Sequence, residues 1–268
     1  MSNPIVVSNA KLLFGPYDLG DDSKAITLNL SSAMLDNTSF PPSGSSGTVA
    51  ISRVAGLHDA SLTANGYLNL TSSGTDATIF PFLGSSDPLV TAFPNGITVG
   101  STTVGAGYAL QGGVSKFTPL SGNVGQLLPF TVDVQGATQV ARVTALYDAT
   151  PVANTLSSGI TTGTAYQPVS TITSTQSVYG GFHVTALSTT LAATISAVIQ
   201  AATSSGFSSP TSVITFGAQS CKYGTWATPV AGNTLSTNLL FWRTQITVST
   251  GTSTGAQANG LVWYAIQQ

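Results

Sequence analysis

Ile26-Thr27-Leu28-Asn29-Leu30 puts three apolar side chains on one side of an extended backbone and two polar ones on the other. That is the period-two signature of a strand with one buried face. The rhythm returns along the chain. Leu62, Ala64, Gly66 and Leu68 alternate with Ser61, Thr63, Asn65 and Tyr67, and Leu128, Phe130, Val132 and Val134 alternate with Pro129, Thr131, Asp133 and Gln135. Val143, Ala145 and Tyr147 suggest one more strand. Turn chemistry separates these runs, in Pro41-Pro-Ser-Gly-Ser-Ser-Gly47 and Ser121-Gly-Asn123, where Pro interrupts a ladder and Gly and Asn accept positive φ. The cadence predicts an antiparallel β protein.

Composition points the same way. The 268 residues contain 34 Ser and 39 Thr but no Glu and two Met, which favours a pleated surface over helix. With 42 % hydrophobic and 6 % charged residues the chain does not fit the profile of a disordered segment. Every Asp lies at or before Asp148, and residues 149–268 carry only Lys222 and Arg243. That scarcity of cations disfavours a nucleic-acid grip, which needs clustered Lys and Arg. So few charges predict a surface mostly covered by neighbours in an assembly. A single cysteine, Cys221, allows no internal disulfide. The N-terminal stretch lacks the pattern of a secretory signal, and no apolar run is long enough to span a membrane as a helix.

The charge-poor, Ser/Thr-rich stretch after Asp148 marks a domain boundary, giving expected domains of 1–148 and 149–268. In the second half, strands are expected over 178–187, 194–201, 212–216, 239–248 and 261–266. Residues 187–202 also carry a helical stripe (Leu191, Ile195, Val198, Ile199, Ala202). The equally good alternation of Ile195, Ala197, Ile199 and Ala201 favours strand. At most one or two short helices are expected, one over 75–80 with Thr75 as N-cap and Pro81 as its stop, the other starting near Ser86-Asp87-Pro88-Leu89.

Chemistry-bearing constellations are thin. Asp18, Asp21 and Asp22 are the only acidic cluster; they lack a bidentate Glu and the spacing of a calcium loop, and read as a solvated turn closed by an Asx bond. His58 and His183 sit in no metal-binding frame, and His183 lies within an alternating strand. Gly105-Ala-Gly107 lacks the third glycine of a phosphate-binding loop, no nucleophile elbow is present, and Cys221 has no activating neighbour in sequence. Trp226, Trp242 and Trp263 could form a sugar-stacking platform, but their apolar contexts favour core or interface. No catalytic residue, metal site or cofactor is assigned, and no enzymatic activity is expected.

Three stretches, AITLNLSSAMLDNTSF (25–40), VAGLHDASLTANGYLNL (54–70) and SGNVGQLLPFTVDVQG (121–136), resemble the tail tube proteins of long-tailed bacteriophages. YGGFHVTALS (179–188) and GFSSPTSVITF (206–216) look like the C-terminal part of such proteins. The resemblance implies a tail-tube-like β-sandwich or barrel with a second β-sandwich domain, assembling into rings that stack into a tube through which DNA passes. It implies ring-to-ring contacts from an N-terminal arm and from the long hairpin loop, here Asp36, Asn37, Thr38, Phe40, Pro41 and Pro42. Asp36, Asp59 and Asp76 are the expected acidic residues of the lumen, repelling DNA rather than binding it. The expected partners are other copies of the chain, in hexameric or trimeric rings, and other tail proteins such as tape measure and terminator; neither a membrane nor a specific DNA sequence is expected. The expected location is the virion tail, assembled in the bacterial host cytoplasm. The alternative is a carbohydrate-binding sandwich of a phage fibre or decoration protein.

Overall fold

The computed structural model describes residues 9–36, 53–71, 74–84, 88–100, 106–123, 125–137, 140–149, 156–157, 159–167, 172–187, 193–220, 223–235, 239–249 and 257–267. The protein is all-β, with one short α-helix among the described residues. The first half holds β1 (Lys11–Phe14), β2 (Tyr17–Asp18), β3 (Ser23–Asp36), β4 (Arg53–Tyr67), α1 (Thr75–Ile79), β5 (Leu89–Phe93), β6 (Ala106–Thr118), β7 (Pro129–Gly136) and β8 (Ala141–Asp148). The second holds β9 (Leu156–Ser157), β10 (Gly159–Thr162), β11 (Ser177–Leu187), β12 (Thr194–Ala202), β13 (Thr211–Gln219), β14 (Tyr223–Trp226), β15 (Val230–Ala231), β16 (Phe241–Ser249) and β17 (Gln257–Gln267).

β6 organises the first half because its two ends belong to different pairings. Residues 112–118 pair with β7, which pairs with β4 and so with β3, whereas residues 106–111 lie between β5 and β8. The change of partner falls at Gly112-Gly113, where a Cβ on Gly112 would run into the Gln135 carbonyl. Inside the bend, Leu12, Phe14, Leu62, Val90, Leu110, Phe130 and Val132 form one core, closed by Ile79 of α1. Burying each such side chain contributes roughly 1.5–3 kcal/mol.

A second core lies on the opposite face of β1 and β5 and draws on both halves. Leu13, Leu89, Phe93, Val143 and Ala145 meet Leu261, Trp263 and Ala265 there. It exists because β8 pairs with β17 across the expected boundary at 148/149, and β17 pairs in turn with β11. The third core fills the sandwich between β11/β17 and the four-stranded sheet β10-β16-β12-β13.

Residues 194–202 are strand, with Ile195, Ala197, Ile199 and Ala201 buried as the alternation requires. Two helix expectations need correction. α1 spans Thr75–Ile79 and continues as a 3-10 turn over Phe80–Phe82, and Gly74 rather than Thr75 is its N-cap. The Thr75 hydroxyl is turned instead to Asp22 Oδ2, 2.7 Å away. At the second site 85–87 lie outside the described residues, and the residues that follow are extended, with Leu89 opening β5, buried on both faces.

Candidate functional site: the polar face and the projecting hairpin

The β3–β4 hairpin outruns the sheet that supports it. β3 pairs with β4 from Ser23↔Gly66 out to Asp36↔Arg53, but β4 pairs with β7 only between Tyr67↔Pro129 and Ser61↔Gln135. Residues 53–60 and their β3 partners therefore form a two-stranded ribbon extending past β7 by roughly 25 Å at the usual rise per residue. Asp36 is exposed at its far end. Asn37, Thr38, Phe40, Pro41 and Pro42 lie outside the described residues.

The outer face of β4 and β7 is polar by alternation. Thr63 Oγ1 donates to Asp133 Oδ1 at 2.7 Å, and Gln135 Nε2 donates to Asp59 Oδ1 at 2.5 Å. Asp59 thus belongs to a face shared with Asp133, and Asp36 to the ribbon end. Asp76 stands apart on α1, whose Ile79 is sunk in the core that the inner faces of β4 and β7 also line. Asp133 was legible as outward-facing in the alternation. Its partnership with Thr63 required the β4–β7 register, which no local pattern encodes.

Among the described residues β3 pairs with β4 alone, and its other edge has no neighbouring strand there. Beside it runs a largely apolar groove of about 340 Å³ lined by Ile26, Leu28, Leu30, Phe93, Pro94 and Tyr108. A second, shallower cleft of about 400 Å³ opens between β13 and β14, with Thr215, Gln219, Thr225 and Thr228 on its walls and no charged group.

The remaining candidates resolve into structural roles. Asp18 accepts from the Gly20 amide at 2.9 Å, an Asx turn, and from Lys11 Nζ at 2.8 Å, while Asp22 is engaged by Thr75. Among the described residues no three His, Cys, Asp or Glu side chains gather where they could hold a metal ion. No helix there is long and apolar enough to cross a membrane. Trp242 and Trp263 are fully buried, Trp242 stacked on Tyr264 and Trp263 edge-on to Trp226, so two of the three platform candidates are core residues. His58 lies on β4 opposite Ser32, and Gly105, Cys221 and Lys222 lie outside the described residues.

His183 is buried at the meeting of the two halves. Its Nδ1 lies 2.6 Å from the Gly15 carbonyl and its Nε2 2.8 Å from Thr91 Oγ1. With Nδ1–H donating to the carbonyl, Nε2 accepts from the threonine hydroxyl, so the ring is neutral and fully partnered. Burial pushes its pKa down to about 4, against a smaller opposing pull from the Gly15 carbonyl. Gly15 takes φ +55° in the β1–β2 turn, and a Cβ on Gly224 of β14 would press into the Gly15 backbone. The curled sheet thus closes its far end onto its first turn.

No protein-family model and no curated protein matches the chain. It is similar to solved structures of tail and injection-system particles. With a chain in the virion of a native gene transfer agent particle it shares 10 % identity over 49 % of its own length and 93 % of that chain, at a TM-score of 0.38. With the sheath/tube terminator of an extracellular contractile injection system the values are 11 %, 52 %, 96 % and 0.39. With the Dit protein of phage SPP1, described as a paradigm of the hub adsorption apparatus in phages infecting Gram-positive hosts, they are 12 %, 97 %, 99 % and 0.32.

Proposed function

We propose that the chain is a structural protein of a phage tail, a tail-tube-like subunit that assembles with copies of itself into stacked rings, hexameric or trimeric, around a channel for DNA. The observation that carries this reading is the β3–β4 hairpin. A 14-residue strand with one edge unpaired among the described residues, continuing as a ribbon beyond β7, is an aggregation liability in a monomer and an assembly element in an oligomer. The tube-protein resemblance of residues 25–40 and 54–70 falls on this same hairpin. The sparse charge of the chain suits surfaces covered by neighbours.

In this reading the outer face bearing Asp59 and Asp133 lines the channel, where like charge keeps the DNA backbone from adhering. Asp36 and the hairpin loop contact the next ring, and tape measure and terminator proteins meet the tube inside and at its end. The virion tail is the corresponding location. No reaction is assigned. The carbohydrate-binding alternative is left with Trp226, which is only partly buried, because Trp242 and Trp263 lie in the core.

Negative-stain electron microscopy of the purified chain over a concentration series tests the reading. Stacked rings or tubes, with symmetry from class averages, are the expected outcome. Persistent monomers that bind glycans would overturn it.

A further inference from the structure

Arg243 is the one cation among the described residues of the second half, which contains no Asp or Glu to neutralise it. The alternation of β16 buries Trp242, Thr244 and Ile246 in the sandwich and turns Arg243, Gln245 and Thr247 to the outer face of the four-stranded sheet. Register sets Gln200, Val198 and Ser196 of β12 beside these three, and Thr162 and Ile160 of β10 beside Gln245 and Thr247 on the other flank. Hydroxyls, amides and a single guanidinium therefore share this face, and Ile160, 67 % exposed, is an apolar spot on it.

Two contacts fix the guanidinium. Its Nε donates to Gln200 Oε1 at 2.9 Å, and its Cζ stands 4.2 Å from the centre of the Phe207 ring. Phe207, in the turn between β12 and β13, takes φ +48°, a strained conformation for an aromatic residue and one that collects at ligand clamps. Gln200 is buried, and its Nε2 donates in turn to Gln245 Oε1 at 3.5 Å. Both bonds use acceptor oxygens, so the row turns donors outward. These are Gln245 Nε2 and the two terminal amino groups of Arg243, which have no partner among the described residues and are not buried. A lysine stem would shield Phe207 as well; a planar fork pinned at Nε is suited to gripping two oxygens at once.

We propose that this outer face binds an acidic glycan, the Arg243 fork taking one oxyanion while Gln245, Thr247 and Ser196 hydrogen-bond neighbouring hydroxyls and Ile160 packs on the apolar face of a ring. A carboxylate on a sugar and a phosphate linking polyol units present the fork with the same pair of oxygens. Nucleic acid fits less well, because one cation among neutral groups cannot neutralise a run of phosphates. The site uses neither Trp226 nor any residue of the β3–β4 hairpin. It adds a binding function to the chain and does not depend on the stacked-assembly reading.

The test is native electrophoresis of the full-length chain through gels containing polygalacturonate, poly(glycerol phosphate), neutral dextran or single-stranded DNA, with titration calorimetry for the affinities. An acidic polymer should retard the chain and dextran should not; which of the two acidic polymers does so names the anion as carboxylate or phosphate. Arg243→Gln should weaken that binding by about tenfold or more, the loss of one charge-assisted fork. Arg243→Lys keeps the charge and the cover over Phe207 but lacks the fork, and should weaken it by about fivefold. Unchanged thermal melting places these losses in binding; if Arg243→Gln melts lower, Arg243→Lys and Gln245→Ala carry the test. Retardation by neither acidic polymer, equal retardation by dextran or DNA, or binding that the Arg243 variants leave unchanged would overturn the proposal. None of these outcomes bears on ring assembly, which the concentration series tests separately.

Discussion

A histidine whose two ring nitrogens are satisfied by groups from the other half of the chain acts as a molecular pin. His183 is held neutral by burial, with a folded pKa of about 4 against the ordinary 6.5. The unfolded chain therefore binds the proton first. The stability owed to this depression is complete above pH 6.5 and is lost as pH falls from there through 4, in total about 3 kcal/mol. Replacing His183→Leu should remove that pH dependence. At pH 7 it should also cost about 2–4 kcal/mol, because the Gly15 carbonyl and the Thr91 hydroxyl lose their partner. Urea titrations of both chains between pH 4 and 8 measure the difference. Two curves that stay parallel across that range would refute the assignment. A second residue-scale constraint is Gly181 on β11, where an added Cβ would run into the Trp263 ring. Gly181→Ala should displace that indole at a cost of about 1–3 kcal/mol, seen as a lowered unfolding midpoint and a red-shifted tryptophan emission.

Which strands were legible in sequence follows from how many of their faces are buried. β3, β4, β7, β12 and β16 have one face towards a core and one towards water or a polar surface, and their alternation announces them. β1 and β5 lie between two cores: Leu12 and Phe14 turn one way and Leu13 the other, and in β5 Val90 and Ala92 oppose Leu89 and Phe93. A strand buried on both sides shows no period, so KLLF and LVTAF read as short apolar runs of no fixed type. The outward side of Asp133 and the strand role of His183 were recoverable because alternation sets side-chain direction. That His183 meets Thr91, 92 residues away, was not, since it depends on how far a thirteen-stranded sheet curls. The same one-sidedness gives the β4–β7 polar face its proposed use. Asp59→Lys combined with Asp133→Lys should leave assembly intact, because neither side chain enters a core, while slowing DNA ejection from particles carrying it, measured by dye uptake on triggered release. Unchanged ejection kinetics would remove this face from the channel.

At the scale of the whole molecule, strand pairing and core packing cross the expected boundary at 148/149. β8 ends at Asp148, and its partner is β17, the last strand of the second half. The middle core takes Leu13, Leu89, Phe93, Val143 and Ala145 from one side of that boundary and Leu261, Trp263 and Ala265 from the other. A chain cut after 148 would leave β8 with a bare edge and expose that face of β1, β5 and β8. It would also strip Thr91 and Gly15 of the histidine they bond. Losing a Trp-centred half-core and one edge of the ladder removes several kcal/mol, comparable with the roughly 5–15 kcal/mol margin typical of a folded domain. The segment 1–148 expressed alone should therefore aggregate or lack dispersed amide resonances, although its own first core, from Leu12 to Val134, is complete. Co-expression with 149–268 should restore a soluble complex with native-like tryptophan emission, because the missing strand can be supplied without a covalent link. A 1–148 segment that folds alone with a cooperative melt would show instead that the first half is autonomous and the middle core an accessory. In the proposed tube a sheet that runs through both halves makes each subunit enter a ring as one body once the halves fold together.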